Sequence, residues 1–222
     1  SDLKILKNKN IFLKVIIIEK PMGSNLKEAL KIKKIFFRSN IKIFINYIRN
    51  YDSKLVNFLK KNINKKKFYD IKVFYSGNFL NNASHFISLF NLLFSKIKKI
   101  KVTTISSYKN IKCKVFYKNS IIEYSHFKMN NKHCFTLLGS NISIFYDNMR
   151  SFLRVAKSSV YNYQIESQQG QKILYKNVVN YLNKKKYFSS SVSDAIDVHK
   201  LIKKIISLKY MIIFLKIIRL ME

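Results

Sequence analysis

The chain has 222 residues, of which 43 are basic and 11 acidic, for a formal net charge of +32. Its 48% apolar and 14% aromatic content suits one substantial core and excludes an intrinsically disordered polyelectrolyte. The charge invites a polyanion partner, but arginine occurs only at Arg38, Arg49, Arg150, Arg154 and Arg219, and lysine lacks the planar fork that arginine offers to phosphates and guanine edges.

Residues 11–18 are apolar apart from Lys14 and rich in β-branched side chains. That pattern predicts a strand buried on both faces of a parallel sheet. Glu19-Lys20-Pro21 ends it, and Pro21, the only proline, permits a cis peptide that would fix how Lys20 points. Asn25 as N-cap, Glu28 three residues on, and Leu26, Ala29, Leu30 and Lys33 at helical spacing predict a helix that closes at residues 35–37. Polar residues thus stand at the carboxyl end of a strand, where open α/β sheets bind ligands.

Ile41, Ile43, Ile45 and Tyr47 alternate with Lys42, Phe44 and Asn46, which predicts a second strand. A short helix over 52–59, a strand over 71–75, a loop over 77–82 and a helix over 84–94 follow, the last with Phe86, Leu89, Phe90 and Leu93 on one face. Short strands are expected at 101–105, 111–117, 121–127, 134–138 and 142–146. In one of them Ile111, Cys113, Val115 and Tyr117 alternate with Lys112, Lys114 and Phe116, as in an antiparallel sheet with one wet face. The three serines at 189–191 read as a loop, and a helix resumes at Asp194. The expected class is α+β: the end of an α/β unit, then a large, mainly antiparallel sheet flanked by helices and closed by a C-terminal helix.

Cys113 and Cys134 are too few for a zinc cluster, and a reducing cytoplasm is the expected setting. The first residues lack the pattern of a signal peptide. Residues 11–18 are too short to span a bilayer, and five cations interrupt residues 201–221, which read as an amphipathic helix. The chain opens on Ser1 rather than Met, as a fragment does. Lysine, asparagine, isoleucine, phenylalanine and tyrosine abound while glycine, proline and tryptophan are scarce. This is the signature of A/T-rich coding, and it assigns much of the charge to drift on solvated faces.

Three segments carry candidate chemistry. Lys20 after the first strand fits either a solvated strand end or a substrate-facing cation. Arg49 in Asn46–Asp52 fits a surface ion pair with Asp52 or a ligand contact. In Gly77–His85, Asn81 and His85 are four apart and share a face if the helix starts early. His85 fits a cap, a core histidine or a proton shuttle. His126, His133 and His199 read as structural or surface residues.

In this order, the segments resemble the Gfo/Idh/MocA oxidoreductases, the family of glucose–fructose oxidoreductase and inositol dehydrogenase. The resemblance rests on Glu19-Lys20-Pro21, on Ser24–Ala29, on Tyr47 to Arg49 before Tyr51-Asp52, on Gly77–His85 and on Ser193–His199, and covers residues 12–206. It implies that residues 1–40 are the remnant of an NAD(P)-binding Rossmann domain and that 41–222 form a substrate-binding and oligomerisation domain. Lys20 and His85 are then the implied catalytic pair. Glu19, Lys20 and Pro21 face the NAD or NADP cofactor, and Arg49, Asn81 and Asn82 bind substrate; no metal is implied. Hydride would pass between the nicotinamide and a hydroxyl carbon of a sugar, sugar nucleotide or cyclitol. Homo-oligomers through the open sheet are expected, with neither membrane nor nucleic acid as partner.

The sequence departs from the family's pattern at four positions. Asn81 stands for a frequent aspartate, Asn50 for a frequent second arginine, Ser88 for an aspartate and Ser95 for a glycine. With glycine only at 23, 77, 139 and 170, no Gly-x-Gly-x-x-Gly exists in the chain. Most of the nucleotide-binding half is expected to be missing, and NAD(P) binding by this chain alone is expected to be poor. The alternatives are a decayed, non-catalytic remnant, a lysine-rich nucleic-acid-binding module using Lys112 and Lys114, and an oligomerising scaffold.

Overall fold

A computed structural model describes residues 13–37, 39–63, 67–94, 97–105, 110–127, 133–140, 142–147, 152–156, 160–164 and 169–221. Strand β1 (Val15–Ile18) pairs in parallel with β2 (Lys42–Ile45), Val15 opposite Lys42 and Ile18 opposite Ile45. Helix α1 (Leu26–Phe36) connects them. Its start is doubly fixed: Asn25 accepts from the Glu28 amide at 3.1 Å, and Glu28 accepts from the Ser24 amide at 2.7 Å. These bonds satisfy amides that have no intrahelical partner in the first turn.

The alternation at 41–47 predicts a strand, and the structure buries both faces of β2. Ile43 and Ile45 join Ala29 and Phe36 of α1 in the main core. Phe44, on the other face, is fully buried with Tyr51 and with Leu174 of α5 (Gln169–Leu182). The free edge of β2 is also used, since the Ile45 amide donates to the Ser190 carbonyl at 3.0 Å.

After β2 come α2 (Ile48–Tyr51) and α3 (Ser53–Asn62), the latter capped by Asp52, whose carboxylate accepts from the Leu55 amide at 2.9 Å. Then follow β3 (Tyr69–Tyr75), a wide π-type turn at Phe79–Ala83 and α4 (Ser84–Leu93). Seven further strands complete the sheet: β4 (Lys99–Ile105), β5 (Ile111–Phe116), β6 (Ser120–His126), β7 (Cys134–Gly139), β8 (Ile142–Asp147), β9 (Phe152–Ala156) and β10 (Val160–Gln164). Their order is β10-β9-β8-β7-β3-β6-β5-β4, antiparallel throughout except where β3 runs parallel to β6. Helix α6 (Val192–Met221) closes the chain over α4, β4 and α1. This is a mixed α/β fold with a large, mostly antiparallel sheet flanked by helices.

The strands show why one face is dry. Tyr69, Ile71, Val73 and Tyr75 of β3 point inward and are buried, while Asp70 and Lys72 between them are exposed. Phe86, Leu89, Phe90 and Leu93 of α4 and Ala195, Ile202 and Ile205 of α6 cover the dry face. Each such buried aliphatic or aromatic side chain contributes roughly 1.5–3 kcal/mol. On the wet face Glu123 bridges Lys112 at 3.0 Å and Lys114 at 3.2 Å. No disulfide joins Cys113 and Cys134. No described helix is long and apolar enough to cross a membrane.

Helix α5 and strands β9 and β10 go beyond the elements expected from sequence. The helical signal of α5 is blurred because Tyr175, Val179 and Leu182 stay exposed on the side away from Leu174.

Candidate active site

Lys20 leaves the carboxyl end of β1 through a cis Lys20–Pro21 peptide. Its ammonium donates to the backbone carbonyl of Asn81 in the π-type turn. The same carbonyl accepts from the Ser84 hydroxyl at 3.1 Å. Ser84 opens α4, and His85 is the next residue. One carbonyl therefore ties the end of the small parallel sheet to the start of the helix that lies on the large one.

His85 is 9% exposed, and its Nδ1 has no protein partner. The Tyr47 ring meets it edge-on, with centroids 6.2 Å apart. Arg49, 6% exposed, lies in α2 with its guanidinium carbon 4.3 Å from the centre of the Phe86 ring and a hydrogen bond to the Tyr146 phenol. Arg49 is thus a buried residue of the site rather than one half of a surface ion pair. Asp52, the partner considered for it, caps α3.

His133 precedes β7, and its Nδ1 accepts from the Ser76 amide at 3.4 Å. That bond leaves the ring proton on Nε2. The side chain lies close enough to Lys20 and Arg49 for both cations to disfavour its charged form. Nothing near His133 in the sequence shows this. The β3–β7 pairing, which sets Phe74 opposite Cys134, brings it to the end of β3.

The basic groups disfavour one another's charge. Burial first, then the Arg49 cation, push Lys20 down to about 8, against a smaller upward pull from Glu19. Burial, Arg49, Lys20 and His133 hold His85 well below the usual histidine range. Burial, then Arg49 and Lys20, lower His133 to about 4. At neutral pH both imidazoles are uncharged and Lys20 carries its proton.

The remaining candidates are placed as follows. Glu19 is exposed, and its carboxylate accepts from the Asn46 amide at 2.6 Å. The other amide atom of Asn46, Oδ1, is buried with no partner. Asn81 contributes its backbone carbonyl, while the residue itself stays exposed. Asn82 donates to the Ser76 carbonyl at 2.6 Å and closes the turn at Gly77, whose φ is +69°. Its amide is engaged in shaping that loop. Met22, just past Pro21, is fully buried, and its carbonyl accepts a hydrogen bond from the His199 ring.

Two clefts flank this cluster without containing it. One, of about 530 Å³, lies beside Asn50, Ser88, Tyr117 and Asp197. The other, of about 740 Å³, runs between α1 and α6 past Leu26, Leu30, Leu80 and Ile202. Among the described residues no three metal-binding side chains gather.

No family model matches the chain, and no curated protein sequence matches it. Solved structures do share its fold, and they are of the Gfo/Idh/MocA type. A dehydrogenase (MviM) from Clostridium difficile aligns with a TM-score of 0.73 at 14% identity, over 92% of this chain and 74% of that one. Levoglucosan dehydrogenase, solved with NADH, gives 0.72 at 12% identity, over 87% and 71%. A super-repressor mutant of Gal80p from Saccharomyces cerevisiae gives 0.71 at 15% identity, over 94% and 73%. At such identities the likeness establishes the fold, which here serves both oxidoreductases and a repressor.

Proposed function

We propose that the chain forms the substrate side of an NAD(P)-dependent oxidoreductase acting at a hydroxyl carbon of a sugar, sugar nucleotide or cyclitol. The observation that carries this reading is the Lys20–Asn81 hydrogen bond. It brings a cation at a strand's carboxyl end beside a neutral histidine with an open ring nitrogen.

The nucleotide fits at one end only. Lys20 at the end of β1 and the orphaned Asn46 Oδ1 offer polar contacts for a nicotinamide edge. No Gly-x-Gly-x-x-Gly cradle for its pyrophosphate occurs in these 222 residues. The chemistry the nucleotide supplies when bound is acceptance of a hydride.

The protein's residues do the rest. The Lys20 ammonium donates to the reacting oxygen and favours its anionic form. His85 Nδ1 takes the hydroxyl proton. Its lowered basicity makes this uphill from a resting alcohol, but the hydroxyl becomes strongly acidic as its carbon turns into a carbonyl. The Arg49 cation, hydrogen-bonded to Tyr146, keeps His85 neutral and able to accept a proton, and the Tyr47 ring packs edge-on against it.

The test is hydride transfer to NAD or NADP with a panel of polyols, using the whole protein. Lys20→Ala and His85→Ala should each lose activity by about a hundredfold or more. Unchanged turnover in either would sink the assignment. A second reading is a non-catalytic binding protein, supported by the fold shared with a mutant of the repressor Gal80p. Ligand binding without any hydride transfer would support it.

A further inference from the structure

The cleft of about 740 Å³ between α1 and α6 falls within the size range of small-molecule sites, roughly 300–1,000 Å³. Its walls are aliphatic, built by Leu26 and Leu30 of α1, Leu80 of the π-type turn, and Ile202 and Ile206 of α6. Leu30 is 46% exposed, so apolar surface is left uncovered there. Lys27, Lys31 and Lys34 from α1 and Lys203 from α6 stand along the cleft and are exposed, and none of the described residues that line it is acidic. Lysine is common throughout this chain, so these four alone would not mark a site.

His199 marks it. The residue is 2% exposed and lines the cleft. Its ring donates to the Met22 carbonyl, and its Nε2 has no partner. With the proton on Nδ1, Nε2 is a bare acceptor beside aliphatic walls, where an unmade hydrogen bond costs free energy. Burial lowers the basicity of the ring, against smaller upward pulls from the Met22 bond and the Glu28 carboxylate, so the ring is neutral at pH 7. Glu28 itself is engaged by the Ser24 amide and hydroxyl at 2.7 and 2.8 Å and does not line the cleft.

Each feature specifies one part of an occupant. The aliphatic walls call for an alkyl chain. Nε2 calls for a hydroxyl that donates, and the lysines call for an anion. His199 is tied to Met22, ahead of α1, whereas Lys31 and Lys34 lie in the later turns of that helix. Donor and anion therefore belong at opposite ends of the chain. Leu26 and Lys34 are roughly 12 Å apart along α1, at about 1.5 Å of rise per residue, which an extended alkyl chain of medium length spans. A sugar or a phosphodiester backbone would leave the walls uncovered, and a plain hydrocarbon would leave Nε2 unpaired.

We propose that this cleft is a second binding site, for an aliphatic hydroxy acid whose hydroxyl donates to His199 Nε2, whose chain lies on Leu30 and Ile202, and whose carboxylate meets Lys31 and Lys34. The site adjoins the Lys20–His85 cluster without sharing a side chain with it. His199 holds the carbonyl of Met22, two residues past Lys20. Leu80 precedes Asn81, whose carbonyl holds the Lys20 ammonium. An occupant thus touches both segments that place Lys20.

The experiment is calorimetric titration of the whole protein at 0.15 M salt with 12-hydroxydodecanoate, dodecanoate and 1,12-dodecanediol, each below its micellar range. The hydroxy acid should bind about fivefold or more tightly than dodecanoate, which lacks the donor. It should bind about tenfold or more tightly than the diol, which lacks the charge. The His199 imidazole nitrogen resonances should move with the hydroxy acid and stay in place with dodecanoate. His199→Phe should erase the advantage over dodecanoate. Leu30→Glu, a carboxylate at an exposed position of the cleft, should weaken the hydroxy acid about tenfold or more, while Lys72→Gln on the exposed sheet face should leave it unchanged. If His199→Phe does not fold, the ligand series and Leu30→Glu still decide. Equal affinity for the three compounds, no binding of the hydroxy acid, or full binding by Leu30→Glu would overturn the proposal. Binding to vesicles of anionic phospholipid but not to the monomeric acid would also overturn it, since the cleft would then be a membrane-facing groove.

Discussion

The side-chain amide of Asn50 donates to the hydroxyl of Ser88 at 2.8 Å, with both residues buried. The same amide reaches the Ser190 hydroxyl at 3.1 Å. Asn50 and Ser88 are two of the positions where the sequence departs from the arginine and aspartate of the family it resembles. In space the two departures meet. Here they form a neutral hydrogen-bonded pair, with no ion buried at either position.

This pairing predicts a coupled response. Ser88→Ala should cost about 1–3 kcal/mol, because it leaves a buried amide donor short of a partner. Asn50→Arg or Ser88→Asp alone should cost roughly 3 kcal/mol or more, as an uncompensated buried charge does. The double variant should recover part of that loss, with a coupling of about 1–3 kcal/mol in urea unfolding. Additive losses would mean that the two sites do not communicate.

Lys20 predicts a pH signature. Its folded pKa, about 8, lies below the unfolded 10.5. Between these values the unfolded chain keeps a proton that the folded chain has released, so this group makes stability rise with pH across that window. Below pH 8 its full cost is present. Replacing it by methionine removes the titration, so the Tm of Lys20→Met minus that of the parent should fall as pH rises from 8 to 10.5. A difference independent of pH would refute the lowered pKa.

The histidines act at the other end of the scale. His85 and His133 both have folded pKa values below the unfolded 6.5, His133 at about 4. As pH drops below 6.5 the unfolded state takes up protons that the folded state refuses, and stability is lost. For His133 that loss continues to about pH 4. Urea midpoints measured between pH 6.5 and 4 should decline less steeply in His133→Gln than in the parent.

Gly170 predicts a packing effect that reaches the site. A Cβ at this position would overlap the carbonyl oxygen of Ile48, the residue before Arg49. Backbone cannot swing aside as a side chain can, so Gly170→Ala should cost roughly 1–3 kcal/mol. It should also weaken substrate binding by displacing α2. Chemical denaturation combined with titration calorimetry reads both effects.

The wet face of the sheet predicts weak attraction to nucleic acid. Lys112 and Lys114 share Glu123, which partly cancels the charge that a phosphate backbone would meet. Binding to random DNA should be weak at physiological salt. Tight binding with a steep salt slope would instead support the nucleic-acid alternative.

Much of the scaffold was legible because local rules decide it. The Asn25 cap, the inward face of α4 and the alternation of β5 follow from residues close in sequence. The structure also joins Lys20 to the turn before His85, two segments 61 residues apart that were read as separate motifs. What escaped depends on distant partners. Two-sided burial of β2 needs α5. The place of His133 needs the β3–β7 register. The engagement of Asn82 with Ser76 needs the folded loop. No window of neighbouring residues contains those facts.

The packing of α5 on Phe44 has a consequence for synthesis. The first strands of the chain lack one wall until Leu174 and the Ser190 segment have been made, some 130 residues later (174 − 44). A ribosome delivers residues from the amino end, so the nascent small sheet leaves Phe44 and Tyr51 uncovered until those residues emerge. During that interval it is a ready target for a chaperone or for aggregation. Native structure around Arg49 and Lys20 therefore waits on segments made well after those two residues.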